Sequence, residues 1–340
     1  MALLRGLTQT SLLSGGVQLK RLATRLVLVL TALFALAGAK VGYLYVAFPG
    51  VEPPEEGKVA ATPELLERGK YLVEHVALCT DCHSERDLGR FSGPVKPGTE
   101  GKGGERFGRE MGLPGDIYAR NITPAAIGHW TDGELKRAIV NGVDREGNAL
   151  FPIMPYPALS HLCDRDLDAI VAYVRTLRPV EHQVPERSLD FPFNLLVRTM
   201  PTAREPWKCS DTLTGVERGR YLVTMGSCTD CHTRRERGEP VPGMEFAGGV
   251  EFPLPSGGVV RSANLTPHES GLGNWTKEVF VARFQAMRAE SAAYPVKNGE
   301  LNSPMPWTMY AGMTDEDLAA VYDYLRTLVP VKNEVDKFTR

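Results

Sequence analysis

The pentapeptide CTDCH stands at residues 79–83 and again at 228–232, and the stretches around it are also written twice. ERGKYLV (67–73) returns as ERGRYLV (217–223), NITP (121–124) as NLTP (264–267), and WT (130–131) as WT (275–276). MPY (154–156) returns as MPW (305–307), and DLDAIVAYVRTLRPV from Asp166 as DLAAVYDYLRTLVPV from Asp317. A period of about 150 residues is too long for a solenoid unit, so each copy has to close around its own core. A chain of 340 residues has room for two such units.

Each copy reads as helical at both ends. Thr62 before Pro63 supplies a cap and a first helical residue, and Thr214 with Glu217 has the spacing of a capping box. Leu167, Ile170, Val171, Val174 and Leu177 form an apolar stripe at helical spacing, repeated by Leu318, Val321, Tyr322, Leu325 and Leu328. No segment between them alternates as a strand, so the expected class is all-α. So much irregular chain needs a large apolar group to pack around. In the first copy GPVKPGTEGKGGERFG (93–108) reads as a mobile surface loop rather than a phosphate cradle, because no strand precedes it and no GKS or GKT ends it.

On one helical turn Cys79, Cys82 and His83 address a common object, as do Cys228, Cys231 and His232. Two thiols and an imidazole so arranged suit haem attachment, the thiols adding to the vinyl groups and the histidine binding iron, and C-x-x-C-H is the signature of c-type haem. Structural zinc needs four closed ligands, and a thioredoxin-like pair needs a βαβ context; neither is visible. Two covalently bound haem c groups are expected. Met154 and Met305, 71 and 73 residues beyond His83 and His232, are matched candidates for the sixth iron ligand, with Met309, Met313, Met111 and Met244 as rivals.

The order of RGxYLV, CxxCH, NITP, WT, MPY and the DLxAIxAYxRTLxPV helix resembles the class I cytochrome c domains of the multihaem subunits that accompany membrane-bound alcohol, aldehyde and gluconate dehydrogenases. LDFPFN (189–194) is similar to the segment joining the first two haem domains there. The resemblance implies two tandem class I cytochrome c domains, 62–180 and 214–332, with a linker at 181–213 and a tail at 333–340. It implies that Gly69 and Gly219 let the opening helix cross close against Tyr173 and Tyr324. It makes Trp130, Trp275, Asn121 and Asn264 candidates to bond haem propionates, against core packing for the tryptophans and a turn cap for the asparagines; Arg120 and Arg261 are weaker candidates. Those subunits typically carry three haem domains and a C-terminal tether, where this sequence shows two motifs and an apolar N-terminal segment.

Residues 1–25 hold Arg5, Lys20, Arg21 and Arg25 without an acid, and Lys40 is the one charge in 26–50. Removing those five positives from the net charge of -2 leaves -7 for residues 51–340. A basic tail (1–25), an apolar run (26–48) and an acidic remainder describe an anchor with a cytoplasmic N-terminus, followed by a proline-rich tether (49–61). A cleaved signal peptide, with AGA at 37–39 as its cleavage site, is the alternative. Either way the bulk is exported, to the periplasmic side of a bacterial inner membrane.

The small net charge and the scattered basic residues exclude a nucleic-acid partner. The expected function is single-electron transfer between a dehydrogenase or quinol-oxidising complex and a soluble cytochrome or oxidase, with no bond-making catalysis. The rival is a dihaem enzyme such as a peroxidase, which needs one open iron position. Cys163 and Cys209 remain, a pair that an oxidising compartment would allow to bridge.

Overall fold

The structure, a computed structural model, describes residues 6–340 apart from Arg237 and Ser256, with side chains from residue 19 onward. Arg5 of the basic tail lies outside the described residues. The chain divides into two units, Met1–Gly50 and Val51–Arg340.

The first unit is one helix, α1 (Gly6–Ala47). Its Leu19–Ala47 portion, 29 residues of mean hydropathy 2.0, is long and apolar enough to cross a membrane. Helical backbone runs from Gly6 straight into the apolar stretch.

In the second unit the first copy contributes α2 (Pro63–Tyr71), α3 (Cys79–Cys82), α4 (Pro124–Ile127), α5 (Asp132–Asn141), α6 (Tyr156–Leu159) and α7 (Asp164–Val174). A short α8 (Phe193–Leu196) lies in the connection. The second copy contributes α9 (Gly215–Met225), α10 (Cys228–His232), α11 (Lys277–Gln285), α12 (Trp307–Tyr310) and α13 (Asp315–Leu325). In each copy the opening helix packs on the closing one, α2 on α7 and α9 on α13. A Cβ on Gly69 would collide with the Ala169 carbonyl and the Tyr173 Cβ, and one on Gly219 with the Ala320 carbonyl and the Tyr324 Cβ. The glycines set how closely the helices cross, at the residues the resemblance named.

The expected helical stripes are the core. Leu167, Ile170, Val171, Val174, Leu318, Tyr322 and Leu325 are buried, and they join one apolar cluster that spans both copies. One expectation is corrected. Thr62 caps α2, accepting the Leu65 N–H at 3.3 Å, but Thr214 makes no side-chain cap. Gly215 beside it has φ of +51°, which takes the first turn out of the geometry a capping box needs. The tether is not free chain: the Val59 N–H bonds Asp132 at 2.8 Å, and the Glu55 backbone lies where any Cβ on Gly133 would fall.

The unit is largely helical, as expected, and adds eight short strands among the described residues. β1 (Arg106–Phe107), β2 (Gly115–Tyr118) and β3 (Ser188–Leu189) form one antiparallel ribbon, and β4 (Arg235–Glu236) pairs with β5 (Glu239–Pro240). β6 (Glu251–Pro253), β7 (Val259–Arg261) and β8 (Phe338–Thr339) form the counterpart of the first ribbon. The start of the linker and the tail each return to complete a ribbon of the preceding copy. Strands of two to four residues are too short for alternation to register.

Candidate metal centres

Each CTDCH is led in by a residue in the left-handed region, Leu78 (φ 52°, ψ 37°) and Ser227 (φ 50°, ψ 36°). Neither is glycine, so each turn carries about 1 kcal/mol of backbone strain, held by the packing around it. The first copy is one residue longer between its RGxYLV and its CTDCH. That residue is absorbed by a π turn, Leu72–Val76, where the second copy keeps a continuous α9. Both lead-ins deliver the motif at the same backbone angles despite the difference in length.

The two cysteines of each motif lie one helical turn apart, and Cys79 and Cys228 pack against the apolar core. Burial pushes the Cys79 and Cys228 thiols up to about 12. The His83 Nδ1 bonds the Arg120 carbonyl at 2.6 Å, and the His232 Nδ1 bonds the Ala263 carbonyl at 2.8 Å. Such a bond places the proton on Nδ1 and leaves Nε2 as the lone-pair donor. Burial lowers the pKa of both imidazoles, the carbonyl bond opposing it more weakly.

Two glycines missed by the sequence reading secure this geometry. The Gly103 N–H bonds the His83 carbonyl and the Gly248 N–H bonds the His232 carbonyl, both at 2.8 Å. They have φ of +72° and +71°, and a Cβ on either would strike the residue whose carbonyl receives the imidazole. Gly103 belongs to the stretch expected as a mobile surface loop; instead it is buried against the motif's exit, as is Gly101.

Met154 and Met305 are half-buried, each followed by a proline that precedes a four-residue helix. Tyr156 N bonds the Met154 carbonyl at 2.7 Å and Trp307 N the Met305 carbonyl at 2.8 Å, so the two methionine segments share a backbone form. Of the rivals, Met313 is core and Met111 is 48% exposed, while Met309 gives its carbonyl to His75 Nδ1 at 2.9 Å. Met244 is half-buried and serves a turn through its backbone.

The candidate propionate donors divide. Asn121 spends its amide on the Val180 and His182 carbonyls and its oxygen on Thr123; Asn264 spends its amide on Val331 and Ser270 and its oxygen on Thr266. These are turn caps that pin the chain leaving each closing helix, and a propionate contact from either would have to break them. Arg120 pairs with Glu186 and Arg261 with Glu251. The indole N–H groups of Trp130 and Trp275 have no partner among the described residues; their carbonyls are taken, by Arg175 at 2.5 Å and Tyr322 at 2.6 Å.

The two motifs lie close to each other. The Tyr310 hydroxyl donates to the Gly226 carbonyl at 2.8 Å, and burial raises its pKa well above the ordinary phenol value. Cys228, Cys231, Asp81 and Cys82 act on it as well, which puts residues of both motifs around one phenol. Among the described residues no cluster of three or more His, Cys, Asp or Glu can hold a metal by itself. The donor set suits a group that brings its own equatorial ligands: two thiols on an apolar floor and one neutral, oriented imidazole. Cys163 and Cys209 are joined as a disulfide across 46 residues of chain.

Comparison with known proteins agrees. The cytochrome c family matches residues 216–329. The chain is 28% identical over 323 residues to the fructose dehydrogenase cytochrome subunit of Gluconobacter japonicus, covering 90% of this chain and 59% of that protein. It is 29% identical over 304 residues to the cytochrome c subunit of alcohol dehydrogenase (quinone) of Gluconacetobacter polyoxogenes, covering 83% and 60%. A diheme cytochrome c-type protein of Cereibacter sphaeroides is 32% identical over 166 residues, 46% of this chain and 53% of that one. The chain thus spans about three fifths of the length of the dehydrogenase subunits it matches.

Proposed function

Residues 216–329 are a cytochrome c domain, and from that premise we propose that the chain is a membrane-anchored dihaem carrier of single electrons. The two domains run 62–180 and 214–332, and α1 anchors them on the periplasmic side of a bacterial inner membrane. One haem c would be held through Cys79 and Cys82 with His83 and Met154 as iron ligands, the other through Cys228 and Cys231 with His232 and Met305. The donor is a dehydrogenase, the class named for the relatives, and the acceptor a soluble cytochrome or an oxidase.

The observation that carries this reading is the matched pair of motif geometries. In both copies a strained lead-in, two thiols on one turn and an imidazole tied to a carbonyl recur. Haem so bound supplies an iron that takes up and releases one electron. The residues do the rest. The carbonyls of Arg120 and Ala263 orient the imidazoles and raise their basicity. A thioether ligand beside an imidazole would favour the ferrous state and raise the potential. Trp130 and Trp275 offer N–H donors to propionates, and the buried stripes of α7 and α13 keep water from the apolar faces.

The test is mass and ligand access. The purified protein should weigh two haems more than its chain, and Cys79→Ala/Cys82→Ala should remove one of them. Carbon monoxide added to the reduced protein should leave the haem spectrum unshifted, because both irons are six-coordinate. A mass showing fewer than two haems overturns the dihaem reading, and a shift on one haem replaces the carrier with an enzyme that has an open site.

A further inference from the structure

Met305 sits in a segment held from the opposite copy. Three residues past His83 the first copy forms a hairpin, in which the Asp87 N–H bonds the Pro94 carbonyl at 2.8 Å and Arg86 bridges to Val95. This hairpin is tied to its own motif, since the Arg86 guanidinium lies 3.6 Å from the Asp81 carboxylate and 2.7 Å from Glu105. Its tip reaches across to residues 294–305. The Phe91 N–H bonds the Tyr294 carbonyl and the Val296 N–H the Gly89 carbonyl, both at 2.8 Å, with the two rings stacked 5.1 Å apart. Asn302 accepts the Ser92 N–H at 3.0 Å and donates to the carbonyls of Leu88 at 3.0 Å and Arg90 at 3.2 Å. The Ser92 hydroxyl donates to the Met305 carbonyl at 2.8 Å.

The other methionine is held differently. The chain before Met154 is fastened from within the first copy and the linker, by Leu150 N to the Gly142 carbonyl at 2.7 Å and by Arg187 to the Ala149 carbonyl at 2.5 Å. Among the described residues no hydrogen bond from the second copy reaches it. Ser92 and Asn302 are 1% and 7% exposed, and Ser92 has φ of +68°, a conformation that glycine would adopt with less strain. Backbone strain held at a buried serine, with its hydroxyl on the methionine carbonyl, motivates a hypothesis of function beyond local folding.

We propose that Ser92 and Asn302 are positioning residues for the second centre: they clamp the Met305 segment to the hairpin of the first motif, so the second iron's sulfur ligand is held in place by the first copy. The clamp rests on Met305 being an axial ligand. The two haems then differ in the lability of their sixth ligand, and any displacement of the hairpin at the first motif is passed to the second.

The experiment uses the full chain with both haems attached. It measures carbon monoxide uptake by the reduced form, the far-red methionine-to-iron band of the oxidised form, and the thermal midpoint. Ser92→Gly removes the hydroxyl and relieves the backbone, so the fraction of one haem open to carbon monoxide, too small in the parent to shift its spectrum, should rise roughly fivefold, the population gained by losing one net hydrogen bond, while the thermal midpoint holds or rises. A residue that served folding alone would move the two together. Asn302→Ala, which drops more of the clamp, should raise uptake further at the same haem. Met305→Ala, the control, should halve the far-red band. If that band halves but both clamp variants take up carbon monoxide like the parent, the clamp is wrong and Met305 stands. If the band in Met305→Ala is intact, the ligand assignment falls and the clamp with it.

Discussion

The Tyr71 phenol donates to the Asp317 carboxylate of the opposite copy, and its counterpart Tyr221 returns the bond to Asp166 at 2.8 Å. Each aspartate is 1% exposed and is also held by the arginine of its own opening helix, Arg68 at 2.8 Å for Asp166 and Arg218 at 2.5 Å for Asp317. Each phenol accepts the N–H of the cap residue before that aspartate's helix, Thr314 for Tyr71 and Cys163 for Tyr221. Tyr71→Phe or Tyr221→Phe leaves a buried carboxylate one donor short and should cost about 1–3 kcal/mol. The urea midpoint measures this, and an unmoved midpoint would mean the arginine alone satisfies the carboxylate.

Gly69→Ala and Gly219→Ala should each destabilise by about 3 kcal/mol or more, the upper end of overpacking costs, because the atom struck is main-chain carbonyl and cannot rotate away. Thermal denaturation reads the effect. A loss under about 1 kcal/mol would mean the helices separate cheaply.

Met154→Ala and Met305→Ala should each lower the potential of one haem and admit carbon monoxide there, leaving the other unchanged. Redox titration with spectra resolves the two haems. A variant with unchanged spectra would send the search for that ligand to the rival methionines.

What could be read in advance was whatever repeats or obeys a local period, the two motifs and the paired helices, while the glycines at their crossing came from the resemblance. What could not was set by distant partners. The left-handed turns at Leu78 and Ser227 carry no glycine to announce them. β3 and β8 are two residues long and exist because β2 and β7 wait for them. The capping box at Thr214 has the right letters and fails on the φ of Gly215. Asn121 and Asn264 suit a turn and a cofactor equally by their letters, and only the positions of Val180 and Val331 show where their amides go.

Replacing Cys163 and Cys209 together by serine should cost about 3–4 kcal/mol, the loop-closure value for a bridge spanning 46 residues. Cys163 also caps α7, its sulfur accepting the Asp166 N–H at 3.4 Å. A serine hydroxyl keeps that cap, so the difference reports the cross-link. Equal urea midpoints for parent and double variant would contradict it.

Asp315, in the first turn of α13, is held by Arg288 at 2.7 Å and by Gln285 at 2.8 Å. The Arg288 bond keeps its carboxyl below the ordinary value of 3.8. A depressed carboxylate adds stability above its unfolded pKa and loses it as pH falls through the folded one. Asp315→Asn should therefore be less stable than the parent at neutral pH, with the gap closing below about pH 3.8. A gap that persists at pH 2 would point to packing instead of charge.

A duplicated segment begins as two copies, either of which can be lost. Once the tyrosine of each copy is spent on the aspartate of the other, that freedom narrows, because removing one copy takes a donor from the acid of the survivor and bares the face it covered. The crossed bonds between Tyr71, Asp317, Tyr221 and Asp166 couple the halves: a change at either tyrosine is felt by the acid of the other half.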